Sequence, residues 1–381
     1  MRSVPCTHPS ARPGTPTLRL QAMLSARRQE RLTERLTDRL PNKLRMAFLA
    51  LLLAAGLPAS VVHAAGTAGH AGASGTGSKA RPAPASGASS DTGITMAFVG
   101  DLMLADGPGK LIRAGKDPFV HVAPLLDNAD LRIGNLECVV SPKGSAEPKP
   151  YTFRAPQRSL KLLKRHFSAV SLANNHTGDF GKPAFADMLQ RLERAGVPYF
   201  GGGRQLRDAH QPYIAEIKGK RIGVLGYNSF FPRSFEALDD TPGNAWLDED
   251  QLVHDIRHAK ETLGVDFLVV YPHWGWEYQR LASDRQRKMA RLMIDSGADA
   301  VIGGHPHVTQ DVDTYRGKPV FYSLGNFVFD GFSDEDTTTG WIALLNWQAD
   351  GSIHWSVRAV RIDSKGVPRP GKTYAPADLG N

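Results

Sequence analysis

The sequence predicts a layered α/β domain. Two observations predict it. From Ile94 onward, short apolar strand patterns alternate with amphipathic helix patterns. Five of the apolar runs also end in a small or turn-forming residue followed by Asp, Glu, Asn or His: Phe98–Asp101, Ile133–Glu137, Leu172–His176, Val269–His273 and Val301–His307. Open α/β sheets bind ligands at the carboxyl ends of their strands, so these runs would bring oxygen and nitrogen donors to one sheet edge. Two carboxylates, three Asn and four His in these runs suit a site for one or two divalent transition ions.

Taken in order, the chain begins with a leader. Residues 1–65 carry ten Lys and Arg against Glu30, Glu34 and Asp38. Asn42–Arg45 precedes an apolar run from Met46 to Pro58, and the small residues Ala64 and Ala65 follow, the pattern of a signal peptide cleaved near Ala64 or Ala65. The alternative is an uncleaved anchor, because Met46 to Ala65 approaches the ~20 residues that span a bilayer. Met23 is an alternative start, and Arg27–Arg28 makes a poor twin-Arg signal because Gln29 and Glu30 follow. Residues 66–93 are almost wholly Ala, Gly, Ser, Thr and Pro, a composition that cannot offset the entropy of ordering. They read as a disordered linker.

The folded domain spans 94–363. Its helices are expected at Ser159–His166, Lys182–Ala195, Asp248–Leu263 and Ser283–Ser296, and its central strands at Ile94–Val99, Ala169–Leu172, Arg221–Tyr227, Phe267–Tyr271 and Ala300–Ile302. Pro319–Leu324, Thr339–Trp347 and Ile353–Ile362 read as successive strands completing a second sheet, with a hairpin turn at Asp350–Gly351. Residues 364–381 lack periodicity and are expected to form a poorly ordered tail.

The formal charge of +8 lies almost entirely in the leader, which holds +7 of it. A nearly neutral body lacks the electrostatic footprint of a nucleic-acid binder, so no nucleic-acid partner is expected. Cys138 is the one cysteine beyond the leader, which excludes an intramolecular disulfide there. Export without a disulfide points to a bacterial envelope, periplasmic or anchored at the N-terminus.

Six blocks in order carry a resemblance: Gly100–Asp101, Gly134–Glu137, Ala173–His176 with Asp179 and Gly181, His273–Tyr278, Gly304–Val308 with Gln310, and Ser323–Phe329. Together they resemble the CapA family of poly-γ-glutamate capsule proteins, a branch of the calcineurin-like metallophosphoesterases, over about Ile94 to Ile362. The resemblance implies an α/β four-layer αββα sandwich, with two sheets face to face, helices outside and a metal site at the sheet edges. It further implies metal ligands at Asp101, Glu137, Asn175, His273, His305 and His307, the last two supplying one imidazole to each ion. His176 is the implied general acid, oriented by Asp179, for attack of a metal-activated water on an ester. One or two divalent ions are implied, with Mn, Fe or Zn favoured over Ca. The substrate would be an anionic polymer or phosphoester, and the partners a membrane-bound capsule synthesis or export machinery. An amide such as a γ-glutamyl bond, or a polymer-binding role without turnover, fits the same motifs.

Two departures stand out. Met103 occupies the place where the wider superfamily has a His ligand, and the Asp-Arg pair after the second block is missing. Several residues also have simpler explanations. Asn135 and Asn174 suit turns or helix caps equally well. Trp274, Trp276 and Tyr278 serve either as a substrate wall or as core packing. Gly201–Gly203 reads as a turn rather than an anion cradle, and Cys138 as a small buried hydrophobe.

Overall fold

The computed structural model describes residues 93–231 and 233–379. The expected leader and nearly all of the linker lie outside the described residues. The strands are β1 (Ile94–Leu102), β2 (Leu131–Leu136), β3 (Ala169–Ser171), β4 (Tyr199–Phe200), β5 (Gly202–Gly203), β6 (Tyr213–Ile217), β7 (Lys220–Asn228), β8 (Gly243–Asn244), β9 (Phe267–His273), β10 (Ala300–Ile302), β11 (Val312–Tyr315), β12 (Lys318–Phe321), β13 (Asn326–Val328), β14 (Thr339–Trp347), β15 (Ile353–Ile362) and β16 (Pro368–Tyr374). One sheet has the order β16-β15-β14-β1-β2-β3-β4, with β13 also paired to β1. A second has the order β11-β12-β10-β9-β7-β6, and β5 and β8 form a small ribbon.

Alternation of side chains along the strands makes the layers. Met96, Phe98, Ile133, Ala169 and Ala343 of the first sheet pack against Ile222, Val224, Phe267, Val269, Tyr271 and Ile302 of the second. The intervening residues point outward. Ala97, Val99 and Val170 meet Ile112, Leu163, Phe185 and Leu189 from helices Asp106–Arg113, Ser159–His166 and Gly181–Ala195. On the opposite side Leu225, Leu268, Val270 and Val301 meet Leu252, Ile256, Met289 and Met293 from helices Glu249–Arg257 and Asp284–Asp295. The result is the expected αββα sandwich. Because the central strands are buried on both faces, their sequences are continuous apolar runs.

The helices begin and end where their caps dictate. Asp248 accepts from the backbone N–H groups of Asp250 and Gln251. Ser283 and Gln286 form a reciprocal capping box. Gly196, at φ 64°, closes helix Gly181–Ala195.

Two expectations are corrected at the C-terminus. β14 and β15 do not build the second sheet. They extend the first, β14 lying antiparallel to β1 from Ile94 to Val99, and only β12 of the expected set joins the second sheet. The expected tail is also ordered, since β16 pairs antiparallel with β15 at the sheet edge. Pro368 and Pro370 hid it, because proline reads as a strand breaker, yet an edge strand tolerates proline where no N–H is needed.

Gly100 marks the point where β1 changes neighbours from β14 to β13. A Cβ there would stand 1.8 Å from the Gly325 carbonyl oxygen, so only glycine lets the two backbones close up directly before Asp101. Close by, the Tyr271 hydroxyl of β9 donates to the Val99 carbonyl of β1 at 2.5 Å and ties the two sheets together. Tyr271→Phe removes this buried hydrogen bond and is expected to cost about 0.5–1.5 kcal/mol. Urea unfolding with an unchanged m-value checks this, and a loss below about 0.5 kcal/mol would show that the tie contributes nothing.

Candidate metal centre

The sheet edge gathers its donors because parallel strands of both sheets end at one level. Asp101 lies one residue before the end of β1, Glu137 follows β2, Asn175 and His176 lie in the turn after β3, and His273 ends β9. His305 and His307 follow β10 in a loop that crosses the edge. Asp101, Glu137, His273 and His305 are wholly buried, and His307 and His176 nearly so.

The donors fall into two groups. Asp101, Glu137 and His307 offer ligand atoms within 4.8 Å of one another. His307 Nδ1 stands 3.5 Å from Asp101 Oδ2, and its Nε2 stands 3.8 Å from Glu137 Oε1. The second group is Asn175, His273 and His305. His273 Nε2 lies 2.8 Å from Asn175 Oδ1 and 3.2 Å from His305 Nδ1. Asn135 sits between the groups, its amide nitrogen donating to Asp101 Oδ1 at 2.8 Å and lying 3.3 Å from both Glu137 Oε2 and His273 Nδ1. Asn174 in turn donates to Asn135 Oδ1 at 2.9 Å and to the Leu136 carbonyl. Both Asn are therefore buried struts of the centre.

These residues fit a divalent cation. Asp101 Oδ2, Glu137 Oε1 and His305 Nε2 are buried with no hydrogen-bond partner among the described residues. A buried carboxylate oxygen and a buried imidazole nitrogen left without donors are costly unless a cation completes them. Met103 is not part of this set, because its sulfur accepts from the Ala105 N–H at 3.3 Å.

Backbone strain accompanies the donors. His305 has φ 95°, His307 φ 57° and the facing Tyr278 φ 64°, all in a region that side chains disfavour. Such strain persists where surroundings over-determine it. Here the Tyr278 N–H donates to the Pro306 carbonyl at 2.8 Å, and Asn326 Oδ1 holds His307 Nδ1 at 2.9 Å.

His176 borders the first group. Its Nδ1 lies 2.9 Å from Asp179 Oδ2 and its Nε2 3.9 Å from Glu137 Oε1. Asn174 Oδ1 accepts the His176 backbone N–H at 3.0 Å, so the Asn before the pair fixes the turn. Phe153 stacks on His176 with ring centroids 4.4 Å apart, Phe230 covers His305 at 4.2 Å, and Phe329 and Phe332 flank His307.

Of the aromatic residues in the His273–Tyr278 block, Trp274 is core, its indole N–H donating to the Tyr322 carbonyl. Tyr278 borders the site, 6.3 Å from the His307 ring, and Trp276 is half-buried. Gly202 and Gly203 pair with β8 and are filled by neighbouring packing, so they leave no anion cradle. Cys138 is buried, which pushes its thiol up to about 12. Sequence reasoning assigned no role to Asn326, Phe153 or Lys149. Asn326 had a detectable signal, as a polar residue ending an apolar run, whereas nothing in the loop sequence distinguished the other two.

Burial shapes the titration of this cluster. Burial, then the adjacent Asp101 charge, holds Glu137 well above the usual carboxyl range. Burial, then neighbouring imidazoles, holds His273 and His305 well below theirs. Burial also lowers His176 against the pull of Asp179. For His307 burial acts downward, but the facing Asp101 carboxylate outweighs it and the imidazole is raised. Below about pH 6.5 the unfolded chain protonates three imidazoles that the fold keeps neutral, against one proton retained on Glu137, so stability rises with pH. Above it the folded chain retains a proton on His307 that the unfolded chain releases, so stability falls. Chelator-treated protein is therefore expected to melt highest near pH 6.5, and a divalent ion to remove the alkaline decline. A melting temperature still rising at pH 8.5 after chelation would contradict this.

Residues 95–331 match the family described as bacterial capsule synthesis protein PGA_cap. The chain is similar to the capsule biosynthesis protein CapA of Bacillus anthracis, 35% identical over 246 residues that cover 62% of this chain and 60% of that one. It is similar to the PGA biosynthesis protein CapA of Bacillus subtilis (strain 168), 35% identical over 247 residues, covering 63% and 64%. It thus spans less than two thirds of the length of these curated relatives. Among solved structures it is similar to the NAD nucleotidase of Haemophilus influenzae at 10% identity and a TM-score of 0.43, covering 74% of this chain and 60% of that one. The family match runs through every strand end that supplies the centre, and the chain belongs to the bacterial capsule synthesis protein family PGA_cap.

Proposed function

We propose that this protein is an exported, metal-dependent hydrolase of the phosphoesterase type, acting in the biosynthesis of a capsule or other cell-envelope polymer. The observation that carries this reading is the His176–Asp179 pair, which aims Nε2 at the unpartnered oxygen of Glu137 from 3.9 Å. A pure storage or binding site has no use for an imidazole oriented in this way.

One or two divalent ions of the Mn, Fe or Zn kind, held by the two donor groups, would supply Lewis-acid polarisation of the scissile group and lower the pKa of an attacking water. The chain's own residues do the rest. Asp179 accepts from His176 Nδ1, which fixes the tautomer and leaves Nε2 to carry a proton to the leaving oxygen. An arriving anion raises the proton affinity of that imidazole and offsets the effect of burial. The rings of Phe153, Phe230, Phe329 and Phe332 exclude water around the three imidazoles.

Export rests on the leader, with its basic stretch, apolar run and small-residue exit. Among the described residues no helix is long and apolar enough to cross a membrane. A membrane-bound capsule synthesis or export machinery is the partner this location favours. The names of the relatives, capsule biosynthesis and PGA biosynthesis proteins, support a polymer substrate.

One observation favours a second reading, an amide such as a γ-glutamyl bond. Among the described residues the only Lys or Arg bonded to the eight site residues is Lys149, and it is already committed to Asp179 and the Asn175 carbonyl. The charge of an arriving phosphoryl group would thus fall to the bound ions, whereas a scissile amide group is itself neutral.

A leaving-group comparison tests the proposal. His176→Ala is expected to lose roughly 10²–10⁴-fold in kcat on an alkyl phosphodiester and little on a 4-nitrophenyl ester, whose leaving group needs no proton, with metal content unchanged. Equal losses on both esters would remove His176 as the acid. Metal content without turnover of either ester would move the case to the amide, tested on γ-glutamyl-4-nitroanilide.

A further inference from the structure

The segment from Ser141 to Ala155 is a strap laid across the His176–Asp179 turn, and its role is unassigned. Both ends are anchored. The Val139 N–H donates to the Phe153 carbonyl and the Ala155 N–H to the Val139 carbonyl, both at 2.9 Å. Arg154 reaches back to the Ser141 and Gly144 carbonyls at 2.6 and 3.0 Å, with its guanidinium over the Phe180 ring. The Ser141 hydroxyl donates to Asp187. Residues 142–148 are exposed, but Lys149 turns inward.

Inside, the strap makes four contacts with one turn. The Phe153 ring stacks on His176, the Phe153 N–H donates to Asp179 Oδ2 at 2.6 Å, and the Glu147 N–H donates to the Asp179 carbonyl at 2.9 Å. The fourth is Lys149. Its Nζ pairs with Asp179 Oδ1 and donates to the Asn175 carbonyl at 2.9 Å. Asp179 is fully buried, and its Oδ2 serves Phe153 and His176 while Oδ1 meets Lys149 alone. Removing the ammonium would leave a buried carboxylate oxygen uncompensated, a situation a side chain escapes by rotating or taking up a proton. Rotation would release His176 Nδ1, and a proton on Oδ1 would weaken Oδ2 as its acceptor.

Resting on the hydrolase reading above, we propose that Lys149 is a positioning residue. It holds the Asp179 carboxylate in the one orientation that presents His176 Nε2 to the leaving group, and pins the Asn175 backbone beside it. Lys149 touches no substrate in this scheme. A lysine that only stabilised the fold would leave the His176 tautomer unchanged.

The test uses the full chain loaded with zinc, as wild type, Lys149→Met and Lys149→Arg, with folding checked by melting. Long-range ¹H–¹⁵N NMR, with His176→Ala to assign the ring, reads the tautomer. The Nδ1–H form is expected in wild type and Lys149→Arg, and a mixture in Lys149→Met. On the paired esters Lys149→Met is expected to lose roughly 10- to 100-fold in kcat with the alkyl leaving group and little with the aryl one, the size typical of removing a group that orients a functional imidazole. An unchanged tautomer in Lys149→Met would overturn the proposal, as would equal losses on both esters. If wild type hydrolyses neither ester, the phosphoesterase reading fails, while the tautomer still decides the role of Lys149.

Discussion

Two carboxylates, Asp101 and Glu137, are fully buried at the edge where the two sheets meet, and each keeps an oxygen with no hydrogen-bond donor among the described residues. A carboxylate in that position needs a cation or a proton, because burial of an isolated charge is otherwise prohibitive. Without metal the protein supplies protons, holding Glu137 and His307 raised. With metal the same oxygens become ligands. Much of the surrounding structure serves to keep these groups together. Gly100 lets β13 approach β1, Tyr271 ties β9 to β1, and Asn135 shares one amide among both carboxylates and His273.

The same constraint explains where strain is stored. His305 and His307 take backbone conformations that side chains avoid, in a loop held by the Tyr278 N–H and the Asn326 side chain. Strain of about 1–3 kcal/mol per residue is tolerable in a sandwich with three apolar cores, and it turns two imidazoles from one short loop toward different donor groups. His176 lies outside this strain, governed by the Asn174 cap and the strap carrying Lys149 and Phe153. Imidazole placement shares two supports with the donor groups, Asn174 through Asn135 and Lys149 through the Asn175 carbonyl, while the strained loop bears on His305 and His307.

Much of this was legible in the sequence because buried parallel strands write themselves as uninterrupted apolar runs, and the residue ending each run lies at the sheet edge. Phe267–His273 is the clearest case, a strand buried on both faces that ends on a donor. The helix at Ser159–His166 was legible from its apolar spacing. Membership of sheets was not, since β14 joins the first sheet through a long-range antiparallel register with β1 that no local pattern encodes. β16 escaped notice because its two prolines signal a break, and only its edge position makes them harmless. Asn135 and Asn174 were ambiguous because Asn serves turns, caps and buried networks alike. Lys149 was illegible, since a lysine between two prolines in a polar loop carries no sign that it turns inward to a buried aspartate.

The most direct test of the central claim is calorimetric titration of metal-free protein with Mn²⁺ or Zn²⁺ at pH 7.5 in two buffers of different ionisation enthalpy. If proton and cation compete for the same buried site, binding is saturable, releases protons and weakens as the pH is lowered. Absence of saturable binding, or binding with no proton release, would contradict the account.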